Sequence, residues 1–125
     1  MEGEFDLLAA SLRADLRDVV AFVEALATKL EGALPGRAIV KRRSQGFFSG
    51  RKRVAKITVD CGDERYQLDY DGANATAKRS TLSGGIALRS DVISIEEWVD
   101  GLARWLTDEA ERSDHGRQAL ERMLA

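Results

Sequence analysis

Apolar residues along the first quarter of the chain recur at steps of three and four. Phe5, Leu8, Leu12, Leu16, Val19, Val23, Leu26 and Leu30 keep that spacing, and Val20, Phe22 and Ala27 widen the stripe. A stripe of this period is one face of an amphipathic helix, so the pattern predicts one long helix over 5–31. Gly32 and then Pro35-Gly36 supply its stop. The same steps fit a coiled-coil seam. The helix is therefore expected to cover a sheet or to pair with a second copy.

The period then changes to two. Ala55, Ile57 and Val59 alternate with Lys56 and Thr58, and Tyr66, Leu68 and Tyr70 alternate with Arg65, Gln67 and Asp69. Such alternation marks half-buried strands. Residues 37–43 form a candidate strand before them. A weaker Ala- and Thr-rich strand, 74–80, and a short one, 86–89, follow. Cys61-Gly62-Asp63, Asp71-Gly72 and Ser83-Gly84-Gly85 are turn signals between these runs. The pattern predicts an antiparallel meander of four or five strands with one dry and one wet face.

Helical periodicity returns at Ser94, which forms a capping box with Glu97. Trp98, Val99, Leu102, Trp105 and Leu106 share the apolar face that follows. A second helical piece over 114–124 carries Leu120, Met123 and Leu124, with Gly116 leaving its start open. The fold class is α+β: a long N-terminal helix, a four- or five-stranded antiparallel meander, and one or two C-terminal helices packed on one sheet face. The length of 125 residues suits a single domain over 1–125. One face of five short strands accepts about two helices. The surplus of apolar helix predicts a protein partner or a homo-oligomer. The order of elements resembles that of small adaptor and secretion-chaperone-like domains. Those domains usually interrupt the sheet with a helix, and no helical pattern lies between residues 37 and 90.

Charge changes this picture at one place. The net charge is −2, yet Arg37, Lys41, Arg42, Arg43, Arg51, Lys52, Arg53 and Lys56 occupy 37–56 without an acid among them. The stretch KRRSQGFFSGRKR, 41–53, also sets Phe47-Phe48 between two glycines. Burying one Phe is worth about 1.5–3 kcal/mol, enough to hold a loop down or to anchor a weak contact. Each nearby cation adds about 1 kcal/mol at an anionic surface. The loop is thus a candidate contact for a protein, or for an anionic lipid or nucleic acid. No nucleic-acid-binding module is spelled out by its residues.

Catalytic chemistry finds little to work with. His115 is the single histidine and sits in a polar stretch, where a solvated surface role is expected. Cys61 is the single cysteine. It excludes an internal disulfide, favours a reducing compartment, and has acidic neighbours that disfavour a thiolate. Asp60, Asp63, Asp69 and Asp71 surround turns, where Asp is favoured for backbone reasons. Gly84-Gly85 alone is too little for a phosphate cradle. Cofactors, metals and small-molecule substrates are not expected, and neither a secretory leader nor a membrane span is evident.

The sequence therefore predicts a non-enzymatic, cytoplasmic protein-interaction domain of adaptor or chaperone-like kind, self-associating as a homodimer. The alternative is an anionic-surface module acting through loop 41–53. The candidate contact residues are Arg42, Arg43, Phe47, Phe48, Arg51, Lys52 and Arg53, with Trp98 and Trp105 on the helix.

Overall fold

Strand pairing follows chain order. In the computed structural model, which describes residues 3, 7, 9, 10, 18–44 and 52–125, five strands form one antiparallel sheet in the order β1-β2-β3-β4-β5. They are β1 (Ala38–Ser44), β2 (Lys52–Cys61), β3 (Glu64–Tyr70), β4 (Ala75–Ser83) and β5 (Ile86–Ile93). The last two are longer than the Ala- and Thr-rich pattern indicated, and β5 runs on to the residue before Ser94. Gly84 and Gly85, at φ 57° and 83°, make the two-residue β4–β5 turn that only residues tolerant of the left-handed region allow.

Three helices lie on one face: α1 (Val19–Ala33), α2 (Ile95–Arg112) and α3 (Asp114–Leu124). The continuous helix expected over 5–31 is interrupted at Asp18. Gly3, Leu7, Ala9 and Ala10 are helical. Asp18, however, has extended backbone, and its carboxylate accepts the Ala21 N–H at 3.1 Å as the N-cap of α1. An Asp that satisfies an orphan amide begins a helix in preference to continuing one.

Helix α1 lies over β1 and β2, and α2 lies over β4. Phe22, Leu26 and Leu30 of α1 meet Ile57 and Val59 of β2, Leu68 of β3, and Trp98, Leu102 and Leu106 of α2 in one core. Ser94 caps α2 as the sequence indicates, its hydroxyl accepting the Glu97 N–H at 3.0 Å. Ser113 then serves both helices at the α2–α3 corner. Its N–H donates to the Glu109 carbonyl at 3.0 Å and its Oγ accepts the Gly116 N–H at 3.0 Å. Leu120 and Met123 of α3 are fully buried.

Two glycines permit this packing. A Cβ on Gly101 of α2 would overlap the Tyr66 hydroxyl and stand 2.8 Å from its ring carbons. A Cβ on Gly116 would overlap the Glu109 carbonyl and stand 2.8 Å from Ala110 N. The first obstacle is a ring held edge-on to Trp98, with centroids 6.1 Å apart and planes at 88°. The second is backbone, which has less room to give.

Overpacking a filled core costs about 1–3 kcal/mol. Urea denaturation is therefore expected to show Gly101→Ala destabilised by about 1–3 kcal/mol. Gly116→Ala should lose at least as much, although Ala is the better helix former by about 1 kcal/mol. A neutral or stabilising Gly116→Ala would mean that the helical corner is looser than its geometry.

Candidate functional site

The basic hairpin divides into charges already used and charges still exposed. Alternation along β1 places Ala38, Val40 and Arg42 on the helix side and Ile39, Lys41 and Arg43 on the other. Arg42 accordingly meets α1. Its Nη1 donates to Glu31 Oε2 at 3.0 Å and its Nη2 to the other carboxylate oxygen. This two-pronged bond holds the Glu31 carboxyl below its ordinary range and the Arg42 guanidinium above its own. Arg42 thus ties the sheet to the helix, and its charge is already matched.

The neighbouring irregularity has the same logic. The β1–β2 register shifts at Lys41/Arg42, leaving Ala55 as the extra residue in β2. Next to it the Val54 N–H donates to Glu24 Oε1 of α1 at 3.1 Å. The bulge turns one backbone donor away from the ladder, and a helix carboxylate takes it up.

Arg43 lies opposite Arg53, and Lys41 opposite Lys56. With Arg65 and Lys78 these residues line the sheet face turned away from the helices, against only Asp60 and Asp69 among the described acids there. Asp60 is paired with Arg65 at 2.8 Å, and Asp69 accepts from the Gln67 amide at 2.9 Å. Lys52 falls on the helix side, at the end of the hairpin opposite Ser44. Phe47, Phe48 and Arg51 lie outside the described residues.

The two tryptophans separate. Trp98 is 0 % exposed and packs on Tyr66 inside the core. This corrects its candidacy as a contact residue, because a ring shared between sheet and helix cannot be offered to a partner. Its Nε1–H has no acceptor among the described residues. Trp105 is half-buried, with the Arg37 guanidinium 5.5 Å from its ring centroid. It lines a cleft of ≈ 550 Å³ with Arg37, Glu109, His115 and Arg122. Arg122 also donates to the Gly32 carbonyl at 2.8 Å, at the end of α1, a favourable place for a cation.

Helix α3 packs against α1 and α2, which covers its apolar face within the chain. Among the described residues, large exposed apolar ones are Leu7 at 59 % and Ile39 of β1 at 53 %, and three are gathered on β5: Ile86 is 69 % exposed, Leu88 70 % and Val92 71 %. Sequence reasoning took only 86–89 as strand and so missed this site. The available signal was the apolar residues at even positions, 86, 88 and 92, after a Gly-Gly turn.

The two sheet edges differ. Edge strand β1 carries Lys41, Arg42 and Arg43 in succession, the charged guard that discourages further pairing. Edge strand β5 has no Lys and no Pro. Its two charges, Arg89 and Asp91, pair with each other at 3.0 Å.

Chemical groups elsewhere are held in structural roles. Burial pushes the Cys61 thiol far up, the Glu64 carboxylate adding to the effect, and its nearest acceptor is the Val59 carbonyl at 3.9 Å. The exposed Asp71 accepts the Ala73 and Asn74 amides at 2.9 and 2.8 Å, which lowers its pKa and shapes the β3–β4 turn. Among the described residues no group of three or more His, Cys, Asp or Glu is placed to hold a metal ion. None of the described helices is long and apolar enough to cross a membrane.

Two outcomes follow from the ionisation. A raised thiol pKa contributes stability that is complete below the ordinary thiol range and is lost as the pH climbs above it. Native Cys61 should react with a disulfide reagent at pH 8 at least ~100-fold more slowly than in denaturant. The lowered Glu31 pKa acts in the opposite direction. Its contribution is present above the ordinary carboxylate range and is lost as the pH falls below about 4.5. Glu31→Gln should lose only about 0.2–1 kcal/mol at pH 7, because the pair is solvent-facing, and should flatten the acid limb of the stability curve.

Comparison of the chain with family models, with curated proteins and with solved structures gave no match.

Proposed function

We propose that the chain is a non-enzymatic protein-interaction domain of adaptor type that docks another polypeptide strand along β5. The observation that carries this reading is the weakly guarded edge: Ile86, Leu88 and Val92 are exposed on a strand of eight residues whose one cation, Arg89, is paired with Asp91. An edge strand presents a row of unpaired backbone donors and acceptors, and natural edges that must stay single are blunted. Strand addition satisfies that row, while alternate side chains provide specificity. Setting Leu88 and Val92 beside cross-strand neighbours would contribute about 0.2–1 kcal/mol per pair, which suits a reversible contact once ordering costs are counted.

The helix candidates fit this reading less well. Trp98 is committed to the core. Trp105 borders a cleft whose Arg37 and Arg122 are already engaged with the ring and with a helix end.

A second reading has its own observation. The outer sheet face gathers Lys41, Arg43, Arg53, Lys56, Arg65 and Lys78 on a chain of net charge −2. Such a face attracts polyanions in a salt-dependent way. Retention on immobilised heparin that falls steeply between 50 and 200 mM salt, and that is lost in K41E/R43E/R53E, would favour it. Elution at the lowest salt would remove it.

The docking reading is tested with Leu88→Lys/Val92→Lys, which places two guards on the edge and leaves the core untouched. Sedimentation and pull-down should show wild type associating, with itself or with another protein, and the double variant doing so at least ~10-fold more weakly at unchanged thermal stability. Equal association by the variant would remove the contact from β5. A wild type that binds no protein at all would remove the interaction reading itself.

A further inference from the structure

We infer that the strand β5 receives is β5 of a second copy, paired antiparallel about a two-fold axis at Ser90. This rests on the reading of β5 as the docking edge, and names its occupant.

The first argument is backbone direction. The Leu82 N–H donates to the Asp63 carbonyl at 2.7 Å, and the Asp71 N–H donates to the Asn74 carbonyl at 3.2 Å. In an antiparallel ladder, hydrogen-bonded pairs alternate with unbonded ones. Even-numbered β4 residues therefore bond to β3, and the odd ones, Ala77, Arg79 and Thr81, bond to β5. Their partners Ile93, Asp91 and Arg89 use their backbone groups inward. Ser90 and Val92 are left with N–H and C=O directed out from the sheet edge.

The second argument is charge. Two antiparallel copies of one strand related by a two-fold axis pair residue i with a residue whose number sums with it to a constant. Centred on Asp91 the arrangement sets Asp91 against its own copy, and centred on Arg89 it sets Arg89 against its own copy. Like charges directly opposite are destabilising. Centred on Val92 it leaves Asp91 facing Ile93 of the second copy and drives the start of α2 into the overlap.

Centred on Ser90, Arg89 of each copy faces Asp91 of the other, twice. Val92 comes opposite Leu88. Ser90, whose backbone groups point outward, exchanges both of its hydrogen bonds with its counterpart. Arg89 and Asp91 share one side of the strand, since they already pair within the chain at 3.0 Å. The dimer closes their two pairs into an alternating square of charge. The register shift at Thr81/Leu82 makes Leu88 the extra residue of β5, and its bend ends the ladder at the last matched pair.

The resulting assembly is a continuous ten-stranded sheet with α1, α2 and α3 of both copies on one side. Both β1 edges, each with its three cations, stand at the outside, so the pairing closes at two copies.

The test uses charge reversal in the whole chain. Arg89→Asp and Asp91→Arg should each weaken the wild-type dimer about tenfold or more by sedimentation equilibrium. Mixing the two single variants should give a heterodimer at least as tight as wild type. Each copy then meets opposite charges across the axis, while the pair within each chain stays broken. Ser90→Cys should cross-link as a disulfide dimer on mild oxidation, and Val92→Cys should not. If the singles dimerise like wild type, or mixing restores nothing, the register is overturned while docking at β5 stands. If wild type stays monomeric at several hundred micromolar, the second copy is overturned as occupant, and the pull-down with the guarded edge separately decides whether β5 docks another chain.

Discussion

Helix α2 can lie as close to the sheet as it does only because residue 101 has no Cβ. The Tyr66 ring occupies the volume a side chain would need there, and it stands edge-on to Trp98. An aromatic pair of this kind adds about 0.5–1.5 kcal/mol beyond simple burial. Its larger effect is positional. With α2 seated over β4 and α1 over β1 and β2, α3 has to fold back across both, through the corner at Ser113 and Gly116. The dry face is then filled short of the last strand. Val92, opposite Lys78, lies on the face that none of these helices covers, so its exposure is independent of where they are pinned.

That seating also sorts the charges. Three helix-side cations are absorbed into the packing: Arg42 by Glu31, Arg37 by the Trp105 ring, and Arg122 by the carbonyl end of α1. Cations on the other side accumulate along four neighbouring strands, β1 to β4, and two pairs of them, Lys41 with Lys56 and Arg43 with Arg53, stand directly opposite each other. Opposed like charges on an exposed sheet weaken the pairing they sit on. The bulge at Ala55 and the Glu24 carboxylate that takes the Val54 amide provide compensating attachment on the helix side of the same hairpin. The sequence stretch that first drew attention as a single basic loop is thus two populations of charge, divided by strand parity.

Parity also explains what could be read from the residues and what could not. The α+β class, the meander, the turns at Gly62, Gly72 and Gly84-Gly85, and the Ser94 cap are local signals, and each stands as a few adjacent residues indicate. The break at Asp18 was hidden by an apolar stripe that continues across it: periodicity records which side is greasy and not whether the backbone is continuous. Trp98 and Trp105 share a helical face by spacing, yet one is sealed and the other borders a cleft. That difference depends on Tyr66 and Arg37, which are distant in sequence. Strand β5 was read too short because Ser90 and Asp91 dilute its apolar content, and pairing with β4 outweighs that weak propensity.

The most informative comparison within the molecule is between its two edges. A five-stranded meander has two edge strands to protect, and the same devices were open to both. A register shift occurs beside both, with Ala55 of β2 and Leu88 of β5 as the extra residues, but β1 adds three cations in succession and an ion pair that draws the edge down onto α1. On β5, Ile86, Leu88 and Val92 stay in solvent, and the two charges neutralise each other instead of repelling a newcomer. If exposure of β5 were merely the leftover of a small core, the cheapest remedy would be one Lys at position 90 or 92, which touches no buried atom and costs almost nothing in stability. The sequence instead keeps Ser90, whose hydroxyl lies 2.8 Å from that of Ser80, and Val92 with its high strand propensity. Both choices favour a strand that is pairable beyond its bulge over a guarded one.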